Sequence, residues 1–265
     1  MTLLVAAPLT FKYGAASAQE GDMYVPGARR PPVVCLLHGG FWRLRYGREL
    51  MVPIAQDLAR RGYAAWNLEY RRTGEPGGGW PGTFVDVVAG IDYLACLVGG
   101  GVDLDLNRVV VVGHSAGGHL ALWYGSGNRR FQGVIARQSL RIAAAIGLAP
   151  VPDLVLAHQL NLSNGAVREL LGNSPDEDPS LYAATSPIAL LPLGIRQFLV
   201  HGTKDEIVPI HLSRRYALAA RRHSDAVDLL ELTGVGHMEF LDPASDAHLA
   251  LCRCLEEVFR PSAPP

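Results

Sequence analysis

The sequence predicts an α/β fold in which helices cover both faces of a mostly parallel sheet of about eight strands. Short apolar runs alternate with longer segments of helical period along nearly the whole chain. Several of these runs are apolar at every position, which is typical of strands buried on both faces. Strand–helix–strand alternation requires right-handed crossovers between parallel strands, and this sets the expected layout of the sheet.

The predicted strands follow one another from residue 9 to residue 232. An antiparallel pair is expected near the N-terminus, and the later runs are expected to form the parallel part of the sheet. The pair is predicted around 9–14 and 21–26, and the later strands are predicted at 32–37, 63–70, 108–113, 142–149, 197–202 and 227–232.

Helices are predicted between these strands and after the last one. The first places Leu50, Ile54 and Leu58 on one face, and Thr83 is a candidate N-cap for the second. The helices are predicted over 48–62, 83–97, 115–125, 210–222 and about 243–259.

No repeat, low-complexity tract or linker divides the chain, so residues 1–265 are expected to form a single domain. One segment breaks the alternation. It spans about 151–195, lies between two predicted strands and contains 172-GNSPDEDPS-180 with further prolines after it. We expect an insertion of short helices and loops that partly caps a site, because long connections in compact domains commonly carry function.

The composition of the chain argues against some classes of binding partner. The 265 residues are 49% hydrophobic and 18% charged, with a formal net charge of −1. The charged fraction is below the roughly 25% typical of soluble domains, which indicates a large core. The near-neutral charge argues against nucleic acid or an anionic membrane as a partner. No apolar run is expected to reach the roughly 18 residues needed to cross a bilayer.

The cysteines and the N-terminus give the expected compartment. The N-terminus has no convincing cleavage site, and the Cys-x-Cys at 252–254 lies in a helical segment without a second ligand pair. We therefore expect a cytoplasmic protein with reduced thiols, no structural metal and no cofactor. The sequence leaves a homodimer open.

The strongest functional signal is 109-VVVVGHSAGGHLALWYG-125. In it, the G-x-S-x-G motif of residues 113–117 stands between a predicted strand and a predicted helix, the context that a nucleophile elbow requires. The turn is so tight that Ser115 must adopt a strained backbone conformation. Small residues two positions before and after it keep side chains from colliding. Ser115 is therefore the predicted nucleophile.

A serine hydroxyl is a weak nucleophile at neutral pH, so it needs a general base, and the base needs an orienting group. Asp205 follows the strand 197–202, and His237 lies in a Gly-rich loop after the last strand. The carboxyl ends of strands are where open α/β sheets gather their sites. We predict Asp205 as the acid and His237 as the base, with Glu206 as the rival acid one residue further along.

The run 38-HGGFWR-43, directly after the strand 32–37, is predicted to stabilise negative charge on a reacting carbonyl oxygen. Gly40 and Phe41 are the candidate backbone N–H donors in this oxyanion loop, and the N–H of Ala116 is the other. A phosphate loop would instead lead directly into a helix and would usually contain lysine. Neither condition is met here, because residues 43–46 intervene and none of them is lysine.

Several side chains are candidates for contact with the substrate. Trp42 is expected either to line the pocket or to support the oxyanion loop, and Trp80 either to line the pocket or to cover the start of a helix. The pair Arg71-Arg72 is expected either to bind a substrate carboxylate or to pair with nearby acids. The predicted substrate-binding residues are Trp42, Trp80, His114 and Met238.

These motifs together resemble the α/β-hydrolase superfamily over nearly the whole chain. The residues that carry the resemblance are 38-HGGFW-42, 113-GHSAGG-118, 201-HGTKD-205 with Val208-Pro209, and Gly236-His237. The first motif is similar to the branch that contains kynurenine formamidases (arylformamidases) and small carboxylesterases, related to the hormone-sensitive-lipase-like esterases. The latter usually have a third glycine where this chain has Phe41. The block 201–209 also resembles the catalytic domains of prolyl-oligopeptidase-type peptidases.

The resemblance implies an α/β-hydrolase fold with a small cap-like insertion, and a two-step hydrolysis without a cofactor. Ser115 would attack an acyl or formyl carbonyl, His237 would transfer the proton, and Asp205 would orient His237. A small carboxylic ester or an aryl-formamide is the implied substrate. The alternatives are a small peptide amide and, in another class, a non-catalytic ligand receptor.

Overall fold

The computed structural model describes residues 7–127 and 138–260, and its strands form one sheet in the order β1-β2-β4-β3-β5-β6-β7-β8. β2 is antiparallel to both of its neighbours, and all other pairings are parallel. The predicted mostly parallel sheet is confirmed. The strands are β1 (Leu9–Lys12), β2 (Glu20–Tyr24), β3 (Pro32–Leu37), β4 (Ala64–Leu68), β5 (Asp105–His114), β6 (Ala144–Leu148), β7 (Arg196–Gly202) and β8 (Val227–Leu232).

The helices lie between the strands, as their alternation predicts. Short 3-10 turns at Arg48–Met51, Pro187–Leu190 and Met238–Leu241 supplement them. The helices are α1 (Val52–Arg60), α2 (Gly82–Asp92), α3 (Leu94–Gly99), α4 (Ala116–Gly125), α5 (Leu154–Gln159), α6 (Ala166–Leu171), α7 (Pro179–Thr185), α8 (His211–Arg222) and α9 (Asp246–Phe259).

Alternate side chains of the central strands point to opposite faces of the sheet, and helices bury both. In β3, Val33, Cys35 and Leu37 pack with α2, α3 and α4. Val34 and Leu36 pack on the other side with α1 and α9. Successive side chains of a strand point to opposite faces, so a strand covered on both sides must be apolar throughout. This is why every residue of β3 is apolar.

The stretch Gly82–Gly99, which comprises α2 and α3, is long enough and apolar enough to span a membrane by length and composition alone. The expectation that no run would reach this length is therefore wrong. The stretch packs against the sheet, and 56% of it is buried. Core helices of soluble proteins meet the same criteria, so this one is explained by its burial in the domain.

The start of α2 differs from the prediction. Pro81 occupies the N-cap position, and Thr83 lies inside the first turn. The Thr83 hydroxyl donates to the carbonyl oxygen of Arg71 at 2.5 Å and accepts from the N–H of Gly79 at 3.1 Å. Thr83 therefore ties the helix to the loop that precedes it rather than capping the helix.

The segment 151–195 lies between β6 and β7 and contains α5, α6 and α7. Asp153 caps α5 by accepting from the N–H of Leu156, and Asp178 caps α7 by accepting from the N–H of Leu181. Each helix has only six or seven residues. Helices this short are marginal alone, so packing against the rest of the domain must hold them in place.

Candidate active site

Ser115 lies in the turn between β5 and α4, at the carboxyl edge of the sheet. Its φ of 55° and ψ of −116° are unusual for a residue with a side chain. The N–H of Ser115 donates to the carbonyl oxygen of Leu148 at 2.8 Å, which ties the turn to the neighbouring strand β6. The structure thus has the strained strand-to-helix turn that the motif predicts.

The glycines around Ser115 are required by close backbone contacts. A Cβ on Gly113 would lie 2.0 Å from the carbonyl oxygen of Gly117, and a Cβ on Gly117 would lie 2.1 Å from that of Leu37. Both distances are far below van der Waals contact, and a carbonyl oxygen cannot rotate away as a side chain can. The elbow therefore admits no larger residue at either position without a backbone shift.

We expect Gly117→Ala to lower the free energy of unfolding by about 3 kcal/mol, at the upper end of the overpacking range, because the clash is with backbone. Urea unfolding measures the effect. The matched control is Gly99→Ala at the end of α3, where a Cβ would meet nothing within 4 Å. Equal stability of the two variants would contradict the steric requirement at the elbow.

Asp205 and His237 meet beside this turn. The Nδ1 of His237 donates to Oδ2 of Asp205 at 2.6 Å. The other oxygen of Asp205 accepts from the N–H groups of Ile207 at 2.9 Å and Val208 at 2.8 Å. Burial opposes ionisation of Asp205, but hydrogen bonds from His201 and His237 outweigh it and lower the pKa of the carboxyl well below its usual range. Asp205 is therefore a carboxylate.

His201, in β7, is also part of this arrangement. Its Nε2 donates to the carbonyl oxygen of Val208 at 2.8 Å and lies 3.3 Å from Oδ2 of Asp205. Its Nδ1 accepts from the hydroxyl of Ser213 at 2.7 Å. These bonds fix the tautomer, because Nε2 must carry the hydrogen. His201 thus supports the Asp205 carboxylate from the side opposite His237.

His114 supports the histidine rather than lining a pocket. It is buried, and its Nε2 donates to the carbonyl oxygen of His237 at 3.0 Å. The two rings lie 4.6 Å apart between centroids. Burial and the neighbouring His237 lower the pKa of His114 to about 3. The residue before Ser115 is therefore a neutral donor that binds the backbone of His237.

The oxyanion loop has an unusual backbone in which Gly40, Phe41 and Trp42 all have positive φ, at 103°, 52° and 58°. A hydrogen bond from the N–H of Arg43 to the carbonyl oxygen of Gly40 at 3.1 Å closes the turn. Within the described residues, the N–H groups of Gly40 and Phe41 donate to no protein acceptor.

This loop packs directly against Ser115. A Cβ on Gly39 would lie 3.1 Å from the Cβ of Ser115, and a Cβ on Gly40 would lie 2.3 Å from that of Tyr46. The glycines therefore let the main chain approach both residues. This is the placement that backbone donors to a reacting carbonyl need.

The remaining predicted pocket residues have different environments. Trp42 is 1% exposed and packs edge-on against His119 at 5.2 Å, so it supports the loop and is not at a pocket surface. Trp80 is partly buried and its ring packs against Phe84. The backbone N–H of Trp80 donates to the carbonyl oxygen of Leu170 in α6 at 2.7 Å. Met238 directly follows His237 and is 52% exposed. Of these three, Met238 is the most exposed, and it adjoins His237.

Arg71 and Arg72 pair with acids, which was the alternative to carboxylate binding. Arg71 makes two hydrogen bonds to Asp86, at 2.8 and 2.7 Å. Arg72 bonds Glu75 at 3.0 Å and the carbonyl oxygen of Tyr46 at 2.7 Å. Both guanidinium groups thus stabilise the loop after β4.

Arg43, the next residue after the aromatic pair, joins the oxyanion loop to the segment 151–195. Its guanidinium donates to both carboxylate oxygens of Glu169, at 2.6 and 2.9 Å. It also donates to the hydroxyl and the carbonyl oxygen of Ser163, at 2.9 and 2.8 Å. Together with the bond from Trp80 to Leu170, these contacts hold α6 over the carboxyl edge of the sheet.

His119 lies beneath Trp42 in α4, where it is fully buried and its Nε2 donates to the carbonyl oxygen of Thr185 at 2.9 Å. Burial lowers the pKa of His119 to about 4. The unfolded chain binds this proton below about pH 6.5, whereas the folded protein does not until about pH 4. Stability contributed by the neutral ring is therefore lost as the pH falls through this window.

The variant His119→Gln keeps a side-chain donor for the carbonyl oxygen of Thr185. We expect it to reduce the slope of the unfolding free energy against pH by up to ~1.4 kcal/mol per pH unit, which corresponds to the uptake of one proton. Urea unfolding at several pH values between about 4.5 and 6.5 measures the slope. His211→Gln, at an exposed position of α8, is the control that should leave the slope unchanged. An unchanged slope for His119→Gln would contradict the buried neutral ring.

Among the described residues, one cluster brings three metal-ligating side chains together: Asp57, His248 and Cys252. Its carboxylate is already occupied, because Oδ2 of Asp57 accepts from Nε of Arg61 at 2.5 Å and from Nε2 of His248 at 2.7 Å. A cation would have to displace the Arg61 guanidinium. The cluster joins α1 to α9, away from Ser115.

The family model BD-FAE matches residues 22–219, well over half of the chain. The chain belongs to the BD-FAE family. In this BD-FAE protein the match includes the oxyanion loop, Ser115 and Asp205, and it ends before His237. The α/β-hydrolase fold predicted from the motifs is confirmed.

Several curated relatives of this BD-FAE protein have esterase names. Esterase LipC of Mycobacterium tuberculosis is 28% identical over 270 aligned residues, which cover 95% of this chain and 65% of that protein. A probable isoprenylcysteine alpha-carbonyl methylesterase, ICMEL1 of Oryza sativa subsp. japonica, is 26% identical over 86% of this chain and 56% of its own length. The chain spans between about half and two thirds of the length of these esterase-named relatives.

Solved structures share the fold at low sequence identity. A truncated carbohydrate esterase from gut microbiota superposes with a TM-score of 0.81 and 20% identity, over 96% of both chains. Esterase B from Lactobacillus rhamnosis superposes with a TM-score of 0.80 and 19% identity, over 95% of this chain and 85% of the other. At such identities the likeness extends to the architecture of the BD-FAE protein and no further.

Proposed function

We propose that this protein is a serine hydrolase that cleaves a small carboxylic ester through Ser115, His237 and Asp205. The observation that carries the proposal is the 2.6 Å hydrogen bond between His237 and Asp205, on a histidine whose backbone is held by the residue next to Ser115. The esterase names of the curated relatives support the ester.

The arrangement supplies each step of acyl transfer. Ser115 attacks the carbonyl carbon while Nε2 of His237 takes the hydroxyl proton, and the Asp205 carboxylate stabilises the resulting imidazolium. The negative oxygen of the tetrahedral intermediate accepts from backbone N–H groups, for which Gly40, Phe41 and Ala116 are the candidates. His237 then gives its proton to the departing alcohol. Water, activated by His237 in the same way, releases the acid from Ser115 and regenerates the hydroxyl.

An aryl-formamide is the second candidate substrate. It is supported by the 38-HGGFW-42 form of the oxyanion loop, in which Phe41 stands where a third glycine is common. Phe41 is partly buried and packs against the core cluster under the site. A side chain there leaves less room beside the reacting carbonyl than a glycine does, which favours small acyl groups such as acetyl or formyl.

Two measurements on the purified protein test the proposal. The first is labelling by a fluorophosphonate probe, with the modified peptide identified by mass spectrometry; we expect the label on Ser115. The second compares kcat/KM for short-chain aryl esters with that for an aryl-formamide, and we expect the esters to be preferred. Preference for the formamide would replace the ester assignment. Binding of such compounds without labelling or turnover would favour a non-catalytic receptor.

A further inference from the structure

A buried pair of side chains lies directly beneath the oxyanion loop. His38 follows β3 and Glu69 follows β4, and the two are 0% and 5% exposed. Nε2 of His38 lies 2.7 Å from Oε1 of Glu69, and Nδ1 of His38 lies 2.8 Å from the carbonyl oxygen of Gly39. The mechanism above uses neither residue. Burying two ionisable groups is costly, which calls for a physical reason.

The hydrogen bonds determine where the protons are. A carbonyl oxygen only accepts, so Nδ1 of His38 must carry a hydrogen. Glu69 accepts from several donors: Oε1 also accepts from the N–H of Tyr70, and Oε2 accepts from that of Arg48, both at 3.0 Å. Burial opposes its ionisation, but the hydrogen bond and charge of His38 and the Arg48 N–H outweigh this and lower the pKa of Glu69. Both ring nitrogens of His38 thus face oxygens, Nδ1 that of the Gly39 carbonyl and Nε2 that of the Glu69 carboxylate.

Tyr70, His114 and several charged side chains surround the His38–Glu69 pair. Tyr70 stacks on the His38 ring at 4.2 Å and donates its hydroxyl to the carbonyl oxygen of His38 at 2.9 Å. His114 approaches from β5, with its Nδ1 3.0 Å from where a Cβ on Gly39 would stand, and it is neutral. Three other charged side chains lie close to the pair. Arg72 is 3.4 Å from Glu69. Arg48 and Glu49 directly follow Gly47, which lies close to Glu69.

We propose that His38, held by Glu69, orients and polarises the Gly39–Gly40 peptide so that the Gly40 N–H binds the oxyanion more strongly. The C=O and N–H of a planar trans peptide point in opposite directions, so a donor fixed on the Gly39 oxygen fixes the direction of the Gly40 N–H. Hydrogen bonds in a chain strengthen one another by roughly 10–30%, and a hydrogen bond to a charged group is about twice as strong as a neutral one. The inference rests on the proposed function. His38 acts here as a positioning residue.

The effect should appear in kcat and not in KM, because the full oxyanion exists only in the transition state. Glu69→Gln retains an acceptor for His38 but removes the carboxylate charge that strengthens this hydrogen bond. We expect this variant to lower kcat roughly tenfold and to leave KM unchanged. This is less than the hundred- to thousand-fold loss typical of removing a donor outright.

The matched control is Tyr70→Phe, which removes the hydroxyl bond to His38 but leaves the hydrogen bond between His38 and Glu69. A merely structural role would give both variants the same loss of kcat, or a change in KM or in thermal stability instead, and either outcome would overturn the proposal. Wild-type protein without hydrolase activity would instead overturn the proposed function.

Nitrogen NMR of the His38 ring in the wild type decides the protonation state whether or not Glu69→Gln folds. We expect Nδ1 to carry a hydrogen, because it faces the carbonyl oxygen of Gly39. A ring whose only hydrogen is on Nε2 would overturn the proposal even if every activity measurement agreed with it.

Discussion

Ser115→Ala is expected to lower kcat for a short p-nitrophenyl ester by about a million-fold and to abolish fluorophosphonate labelling. Ser115 has the strained backbone conformation of the elbow, and its neighbour His114 is hydrogen-bonded to the backbone of His237, the proposed general base. Alanine leaves no nucleophile there. The residual rate, a thousand- to ten-thousand-fold above water in comparable enzymes, would come from the oxyanion donors and binding.

The matched control for this variant is Ser126→Ala at the other end of α4. Ser126 is also buried, and its hydroxyl donates to the carbonyl oxygen of Trp123 at 2.7 Å. We expect that variant to keep both turnover and labelling. Full labelling of Ser115→Ala would show that the reactive serine lies elsewhere and would contradict the assignment.

Asp205→Asn is expected to lower kcat by about ten-thousand-fold without unfolding the protein. The N–H groups of Ile207 and Val208 both donate to Oδ1 of Asp205, so they will hold the amide oxygen of asparagine in that position. The amide NH₂ must then face Nδ1 of His237. Nδ1 becomes an acceptor, the hydrogen moves to Nε2, and Nε2 can no longer take the proton from Ser115.

Glu206→Gln is the control for the acid, because Glu206 is adjacent in sequence and exposed. We expect its kcat to match the wild type. Steady-state kinetics across the pH range distinguishes the two variants, since a wrong tautomer is not rescued by raising the pH. A large loss in Glu206→Gln with a small one in Asp205→Asn would transfer the role to Glu206.

Much of the fold could be predicted because burial on both faces leaves a direct mark on the sequence. The strands 32–37 and 227–232 have the predicted bounds, and the other strands differ by a few residues at their ends. The helix predicted over 48–62 instead begins with a 3-10 turn and becomes α-helical at Val52. Helix ends depend on tertiary hydrogen bonds, such as those of the Thr83 hydroxyl, and local patterns do not contain them.

The candidate site was predictable where chemistry requires a residue type at a fixed place in a motif, as for Ser115. It was less predictable where a role depends on a contact between distant residues. His114 reaches a carbonyl 123 residues away, and His38 pairs with Glu69 from the next strand. The only sequence signal for the latter was a histidine and a glutamate at equivalent ends of adjacent strands. Trp42 could be assigned to the core only once its packing against His119 was known.

The guanidinium of Arg43 connects the oxyanion loop to the segment around α6 through Ser163 and Glu169. Any substrate that pushes Ser163 or Glu169 aside must break charged hydrogen bonds to a residue three positions from Gly40. Under the proposed function, the energy of admitting a bulky group is therefore linked to the alignment of the N–H groups of Gly40 and Phe41. Selection among substrates by size and selection by reactivity would then not be independent, and we expect a substitution in the insertion to change both.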